Sequence, residues 1–557
     1  MPTIDISLKD LQKLIGKPIS IEELEDEGIL YVKGEIDGFE EGNIKVDCKE
    51  TNRPDIWSTE GIARQIAPHY TKSKGLPNYK IEKSNVMIKV SKDVKNVRPY
   101  IVGAVVKDVK ITDELIKQMI QIQEKVCTTY GRKRKEAAIG IYDFDKMKVP
   151  IFYKGVNPES IKFIPLGFKI EMTPQEILED HPKGHEFAHL LEGAKKYPIV
   201  IDSNDNVASF PPVINSEHTG KVTEKTKNLF IEVTGLNLEI IKVALNVTVA
   251  ALADRGAKIE SVKIKYPDKE IITPDFTPKE ITVSKEYFVR LSGLNLKDSE
   301  IKDLLEKARY NLKSINKTNF IVEYPSYRAD IMHPADVVED LIISYGYNNI
   351  EPHIPILATE GKLDPFEEFC EKIREHLVGT GATELLTFTL TNNQNLFDKM
   401  NTKKWGAVEI SNPVSERWST IRNWIIPSLL NFMEKNQSTE YPQQVYEVGD
   451  AVVIDENSET KTKSIKRLAW ALANKDATFT NAKQILDIIL DGLNLDYEIE
   501  ETEHDSFIPG RVGRVVVNGV KIAYIGEIHP QVIENFGIKM PVVVLELNLT
   551  DLYSVFS

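Results

Sequence analysis

The sequence holds only three cysteines in 557 residues, Cys48, Cys127 and Cys370. Thiols so few and so far apart form neither a disulfide framework nor a zinc-ligand spacing, and they fit a reducing interior. Long apolar runs are missing too. The longest, residues 243–253 (VALNVTVAALA), is well short of the roughly 20 residues that span a bilayer. The opening MPTIDISLKDLQ lacks the basic-then-apolar order of a leader. Positive charge is in deficit, with 70 Lys and Arg against 84 Asp and Glu and a net charge of −14. A surface that grips phosphate backbones over its whole area is therefore excluded, and any nucleic-acid contact must be local. Fixed-period repeats and low-complexity tracts are also absent. The expectation is a soluble, cytoplasmic chain with no membrane partner.

The composition is that of an ordinary globular protein, 41% hydrophobic and 28% charged, and a chain this long exceeds one core. Three stretches rich in Pro, Gly and polar residues, 71–85, 266–280 and 351–365, read as joints. They divide the chain into an N-terminal α+β part (1–85), an α/β part (90–265), a small helix-and-strand part (270–352) and a C-terminal part (363–557). The fold class expected is α+β, multidomain. The second part alternates apolar runs such as YIVGAVV and AAIGIYDF with amphipathic stretches such as DELIKQMIQIQEKV, where Leu115, Met119, Ile120 and Ile122 can share a helix face.

The third part carries the most concentrated chemistry. PSYRADIMHPADVVEDLIISYGYNNI (325–350) sets Asp330, Asp336, Glu339 and Asp340 within eleven positions, with Arg328 and His333 as the nearby potential cations. Pro334 suits the first turn of a helix that stops near Gly346. Asp336, Glu339 and Asp340 are then three and four positions apart on one face, where like charges disfavour one another. Acids in a first turn also complement the helix dipole, which explains them without a ligand. The alternative is a hard divalent cation, most naturally Mg2+, bound by several carboxylate oxygens.

This segment resembles the magnesium-binding segment of the β subunits of phenylalanyl-tRNA synthetase, in which P-S-aromatic-R-x-D-I precedes an acidic helix and a G-Y pair. The resemblance implies that Asp330, Asp336, Glu339 and Asp340 hold Mg2+ where the β subunit meets the α subunit. It continues along nearly the full length. CKETNRPDIWSTEGIARQIA is similar to an N-terminal segment of that family, although Asn52, Arg53, Pro54 and Asp55 read as turn formers and a local ion pair without chemistry.

Residues 90–265 resemble the family's editing domain in its archaeal and eukaryotic form, on RPYIVGAVV, IQEKVCTTYGRKRKEAAIGIYDFD, HPKGHEFAHL, FPPVINSEHTGKVT and NLFIEVTG. The implied activity is hydrolysis of tRNA mischarged with tyrosine. YGRKRK places Arg132 and Arg134 in a local positive patch of the kind an RNA acceptor end requires. Asn215, Ser216 and Thr219 supply short polar groups beside a proline-fixed turn, and Glu232 and Thr234 follow on a strand. A carboxylate such as Glu232 can accept the phenolic hydroxyl of tyrosine, and a pocket built on that contact rejects phenylalanine. His181, His185, His189 and His218 read as structural.

Residues 363–557 resemble the family's class II synthetase-like domain, an antiparallel sheet with helices. Arg422 is a tempting ATP ligand, yet the full set of class II motifs is missing, and no aminoacylation residue is assigned. The resemblance implies a catalytically silent domain in an α2β2 assembly, with ATP and phenylalanine bound on the α subunit and tRNA(Phe) as partner. The 270–352 part resembles DNA-binding folds. Two other readings remain from the residues: a stand-alone Mg2+-dependent hydrolase and a scaffold whose editing site is inactive.

Overall fold

The computed structural model describes residues 2–556. The chain forms two compact units, Met1–His353 and Ile354–Ser557, and the division falls inside the Pro- and Gly-rich stretch 351–365. The architecture is α+β throughout, with several sheets and their covering helices.

The first unit begins with a three-stranded antiparallel sheet in the order Thr3–Ser7, Asn43–Cys48, Gly34–Glu40. Ile4, Ile6, Ile44 and Val46 alternate inward along it and are buried, the period-2 pattern of a one-faced strand. Its helix Thr59–Tyr70 starts at Ser58, whose hydroxyl accepts the Gly61 N–H. One hydrophobic core runs from this region through residue 266 and takes in Tyr327.

That core is built around a mixed sheet of eleven strands. Its main path runs Ile214–Asn215, Val207–Phe210, Tyr197–Ile201, Ile151–Val156, Met87–Val90, Lys258–Lys265, Tyr100–Lys107, Leu229–Gly235, Ala138–Asp143. The strands read from YIVGAVV and AAIGIYDF are the last two neighbours of Leu229–Gly235, and almost every residue on all three is buried. Burial on both faces removes the alternation and leaves continuous apolar runs. The helix Leu238–Asp254, capped by Asn237, packs on this sheet.

A third sheet, Lys279–Ser284, Asn319–Tyr324, Asn311–Ile315, carries the helices Lys285–Ser292, Asp298–Lys307 and Pro334–Tyr345 around its own core. The polar stretch 71–85 is tied down against it. Arg309 donates to the carbonyls of Arg64, Ser73 and Gly75, and Asn311 Oδ1 accepts the Leu76 N–H.

The second unit is a seven-stranded sheet in the order Thr383–Glu384, Gln443–Ile454, Thr462–Ala473, Val542–Asn548, Val520–Ile528, Phe507–Val517, Glu498–Glu501. Every pairing is antiparallel except the short first one. Helices Pro365–Val378 and Phe479–Gly492 share one core with the sheet, and Ile426–Lys435 belongs to another.

Candidate functional site

The main path of the eleven-stranded sheet curls until its two ends touch. Asn215, on the first strand, donates from Nδ2 to the Ile141 carbonyl at 3.4 Å, and its Oδ1 lies 3.5 Å from Tyr142 Oη on the last. A cavity of about 690 Å3 opens beside this closure, with Glu232, Ser209, Asn215, Arg134 and Phe187 among its wall residues. Part of the apolar wall comes from the helix Asp113–Lys125. Leu115, Met119 and Ile122 of that helix are buried, whereas Ile120, expected on the same face, is half exposed and lines the cavity with Ile116 and Met119.

Glu232 is the group that gives this cavity a chemistry. It sits in the middle of a buried strand, opposite Gly140 on the neighbouring strand, and is 2% exposed. Its Oε1 accepts a hydrogen bond from Tyr142 Oη at 2.9 Å, and its Oε2 has no partner among the described residues. Burial pushes its carboxyl up to about 7, against the opposing pull of the Tyr142 hydroxyl and the Arg98 guanidinium. The same burial and the neighbouring carboxylate push the Tyr142 phenol well above its ordinary value, so the phenol is the donor of the pair. Ser209, also on the wall, has a buried hydroxyl for which no geometrically sound partner is present.

The residues expected at this site divide into two groups. Asn215, Glu232 and Arg134 are at the cavity wall. Arg134 is brought there by a left-handed turn at Arg132, Lys133 and Arg134, with φ of 49, 53 and 67°. The turn is closed by hydrogen bonds to the carbonyls of Thr129, Thr128 and Cys127. The Arg134 guanidinium then donates to the carbonyls of Pro212 and Val213 and stacks over Phe187 at 4.2 Å. Arg132 stays exposed.

Ser216, Thr219 and Thr234 are not wall residues, which corrects their expected place in the pocket. Ser216 caps a one-turn helix and shares a 3.0 Å hydrogen bond with the Thr219 hydroxyl, so both groups are used in closing the turn. Thr234 is fully buried and holds Arg98 through its hydroxyl and its carbonyl. Among the histidines, His181 caps a helix by accepting the Lys183 N–H.

Sequence reasoning passed over Tyr142, Ser209, Arg98 and Gly140. Tyr142 and Gly140 lie in GIYDFD, two residues apart and hence on one strand face. A glycine in the interior of an otherwise apolar strand is the signal that was available.

The acidic segment takes the predicted helix, Pro334–Tyr345, with Pro334 in its first turn and Gly346 at its end. Its carboxylates, however, do not converge. Arg328, 2% exposed, donates from Nε to Asp330 Oδ1 at 2.8 Å and from Nη2 to Asp330 Oδ2 at 2.5 Å and Asp340 Oδ2 at 2.7 Å. Asp340 also accepts the Tyr310 hydroxyl at 2.5 Å. Glu339 points outward to Lys33 at 2.7 Å, and Asp336 accepts the N–H groups of Met332 and His333. Arg53, paired with Asp55 and hydrogen-bonded to Gln65, adds a further charge 4.0 Å from Asp330. Burial raises the Asp330 carboxyl, and Arg328 and Arg53 more than offset this, so it lies below its usual value.

The like charges are thus compensated by guanidinium and ammonium groups, two of them from the N-terminal region. Mg2+ gathers carboxylate oxygens around one point at about 2.0–2.1 Å. The four side chains as arranged do not fit it. Among the described residues, the carboxylates whose oxygens do converge, within 4.8 Å, are Glu35, Asp37 and Asp47 on the N-terminal sheet, and exposed acids gather this way without an ion.

Residues 83–264 match the B3/4 domain, 281–347 the tRNA synthetase B5 domain, and 350–549 the phenylalanyl tRNA synthetase β chain CLM domain. The chain is 52% identical over 557 residues to the phenylalanine–tRNA ligase β subunit of Pyrococcus furiosus, covering 99% of this chain and 100% of that one. The β subunit of Pyrococcus horikoshii is 53% identical with the same coverage. This chain belongs to the phenylalanine–tRNA ligase β-subunit family. A solved N-terminal fragment of the Pyrococcus horikoshii phenylalanyl-tRNA synthetase β subunit is 52% identical and superposes with a TM-score of 0.60, covering 62% of this chain and all of the fragment. The family is one of ligases, the aminoacyl-tRNA synthetases. Among the described residues no helix is long and apolar enough to cross a membrane.

Proposed function

We propose that this chain is the β subunit of a phenylalanine–tRNA ligase, working as an α2β2 assembly in the cytoplasm. ATP, phenylalanine and the synthetic active site belong to the α subunit, and this chain scaffolds it. The 690 Å3 cavity hydrolyses tyrosyl-tRNA(Phe) made in error. The observation that carries this reading is Glu232, a wall carboxylate whose Oε2 is buried without a partner. A tyrosine hydroxyl would satisfy that oxygen, whereas phenylalanine would leave it bare, and sites built on such a contact discriminate strongly. Hydrolysis then depends on a water positioned beside the ester.

Exposed Arg132 offers the acceptor end a local positive charge in an otherwise acidic protein. The C-terminal sheet has the largely antiparallel character of a class II synthetase domain. Arg422 is spent there on Glu447, Thr387 and Asp450, which supports a silent role. The acidic segment offers Mg2+ no common point, its carboxylates being held by Arg328, Lys33 and backbone N–H groups. That arrangement also disfavours a stand-alone Mg2+ hydrolase.

The test is co-expression with an α subunit of the same family, followed by deacylation of tyrosyl- and phenylalanyl-tRNA(Phe). Tyrosyl-tRNA should be hydrolysed much faster, and Glu232→Gln should remove the difference. Equal rates for both substrates in the unmodified complex would overturn the assignment.

A further inference from the structure

Glu232 has two oxygens, and the described residues use only one. Tyr142 Oη donates to Oε1 at 2.9 Å, leaving Oε2 alone. A phenol has a single hydrogen to give, so the 3.5 Å approach of Tyr142 Oη to Asn215 Oδ1 is at most a secondary contact. Tyr142 is not itself a cavity wall residue, while Glu232 is. The phenol therefore holds the carboxylate without competing for the space a ligand would take.

The holding is built in rather than incidental. Tyr142 is fully buried with its ring 5.9 Å from Phe230, which fixes where its hydroxyl lies. Gly140, two residues earlier on the same strand face, leaves the room: a Cβ there would collide with Tyr142 Oη and lie 2.6 Å from Glu232 Oε1.

We propose that Tyr142 is the positioning residue of the hydroxyl test: by donating to Oε1 it fixes the Glu232 carboxylate and reserves Oε2 for the phenolic hydroxyl of a misplaced tyrosine. This rests on the deacylation reading given above. Two side chains act on Glu232, Tyr142 on the Ala138–Asp143 strand and Arg98 just before Tyr100–Lys107, while Cys127 at the end of the cavity-lining helix and Tyr153 on Ile151–Val156 are neighbours that Glu232 itself raises. Arg98 is the only cation among them, and its guanidinium is bonded to Thr234 and to the Lys135 carbonyl. The Tyr142 hydroxyl is thus the one neutral donor that favours the ionised carboxylate, the form with a free acceptor at Oε2.

Tyr142→Phe removes this donor and no other atom. In the co-expressed complex, kcat/KM for tyrosyl-tRNA(Phe) deacylation at neutral pH should fall at least tenfold. The pH at which the rate rises to half its maximum should move upward, and the preference for tyrosyl over phenylalanyl esters should narrow. Replacing Tyr142 by a tyrosine with one fluorine ortho to the hydroxyl makes it a stronger donor, and the same pH midpoint should move downward. Thermal unfolding reports whether each variant keeps its fold. If Glu232→Gln loses deacylation while Tyr142→Phe keeps the unmodified rate and pH profile, the role given to Tyr142 is wrong and the editing reading stands. If Glu232→Gln deacylates as fast as the unmodified protein, the reading of the cavity fails and this inference with it.

Discussion

Gly140 faces Glu232 across two paired strands, and the missing side chain is what lets a buried phenol reach a buried carboxylate. A methyl group at 140 would lie 2.6 Å from Glu232 Oε1 and meet Tyr142 Oη more closely still. Gly140→Ala should therefore push the two groups apart and cost about 1–3 kcal/mol of stability, the usual penalty of overpacking a dense core. Denaturant unfolding of the chain measures this. Deacylation of tyrosyl-tRNA(Phe) by the complex should fall along with it.

The Glu232 carboxyl is raised to about 7 from 4.5, so the folded chain binds this proton more tightly than the unfolded chain does. Stability from this group is fully present below about pH 4.5 and is lost as pH rises through 7, a difference of roughly 3 kcal/mol. Glu232→Gln carries no such proton and should lack this part of the slope. Comparing urea midpoints at pH 5 and pH 8, the Gln variant should gain on the unmodified protein at the higher pH. An equal difference at both values would mean that Glu232 is ionised without penalty in the native state.

Local signals in the sequence placed the elements well where the pattern was strong. Pro334 and Gly346 bracket the helix Pro334–Tyr345, and YIVGAVV and AAIGIYDF are strands, because proline, glycine and continuous apolar runs act over a few residues. What the local pattern could not supply was long-range pairing. Lys33 and Arg53 reach the acidic segment from the far N-terminal region and Arg328 from just upstream, and only folding shows that they answer its charge. Ser216, Thr219 and Thr234 have the right chemistry for a pocket, yet each is turned to a structural hydrogen bond. Nothing in a list of residue types distinguishes a hydroxyl that lines a cavity from one that closes a turn.

Arg328 holds two carboxylates, and both its own side chain and that of Asp340 are nearly closed to solvent. Arg328→Met would strand Asp330 and Asp340 in a setting that penalises their charge. Breaking a buried pair from one side costs about 3–5 kcal/mol, and the urea midpoint of the chain should fall accordingly. The same pairing means that a divalent cation is not required to keep the segment folded. Dialysis of the isolated chain against a chelator should leave its Tm unchanged, and a clear drop restored by Mg2+ would show that the carboxylates regroup around an ion.

In the C-terminal unit, Arg422 and Glu447 form an ion pair whose side chains are 1% and 0% exposed. Arg422 Nη2 donates to Glu447 Oε1 at 2.7 Å, Nη1 to Thr387 Oγ1 at 2.7 Å, and Nε to the Asp450 carbonyl at 2.9 Å, while the Thr387 hydroxyl donates to the second Glu447 oxygen at 2.6 Å. A guanidinium committed to three acceptors in a dry interior has little left for a phosphate. Arg422→Met should thus act on folding and not on nucleotide binding, lowering the unfolding midpoint by the equivalent of about 3–5 kcal/mol because Glu447 loses the cation it is paired with. ATP–pyrophosphate exchange by the isolated chain should be absent with phenylalanine present, both before and after the change. An exchange activity that vanished with Arg422 would instead make this domain a working synthetase centre.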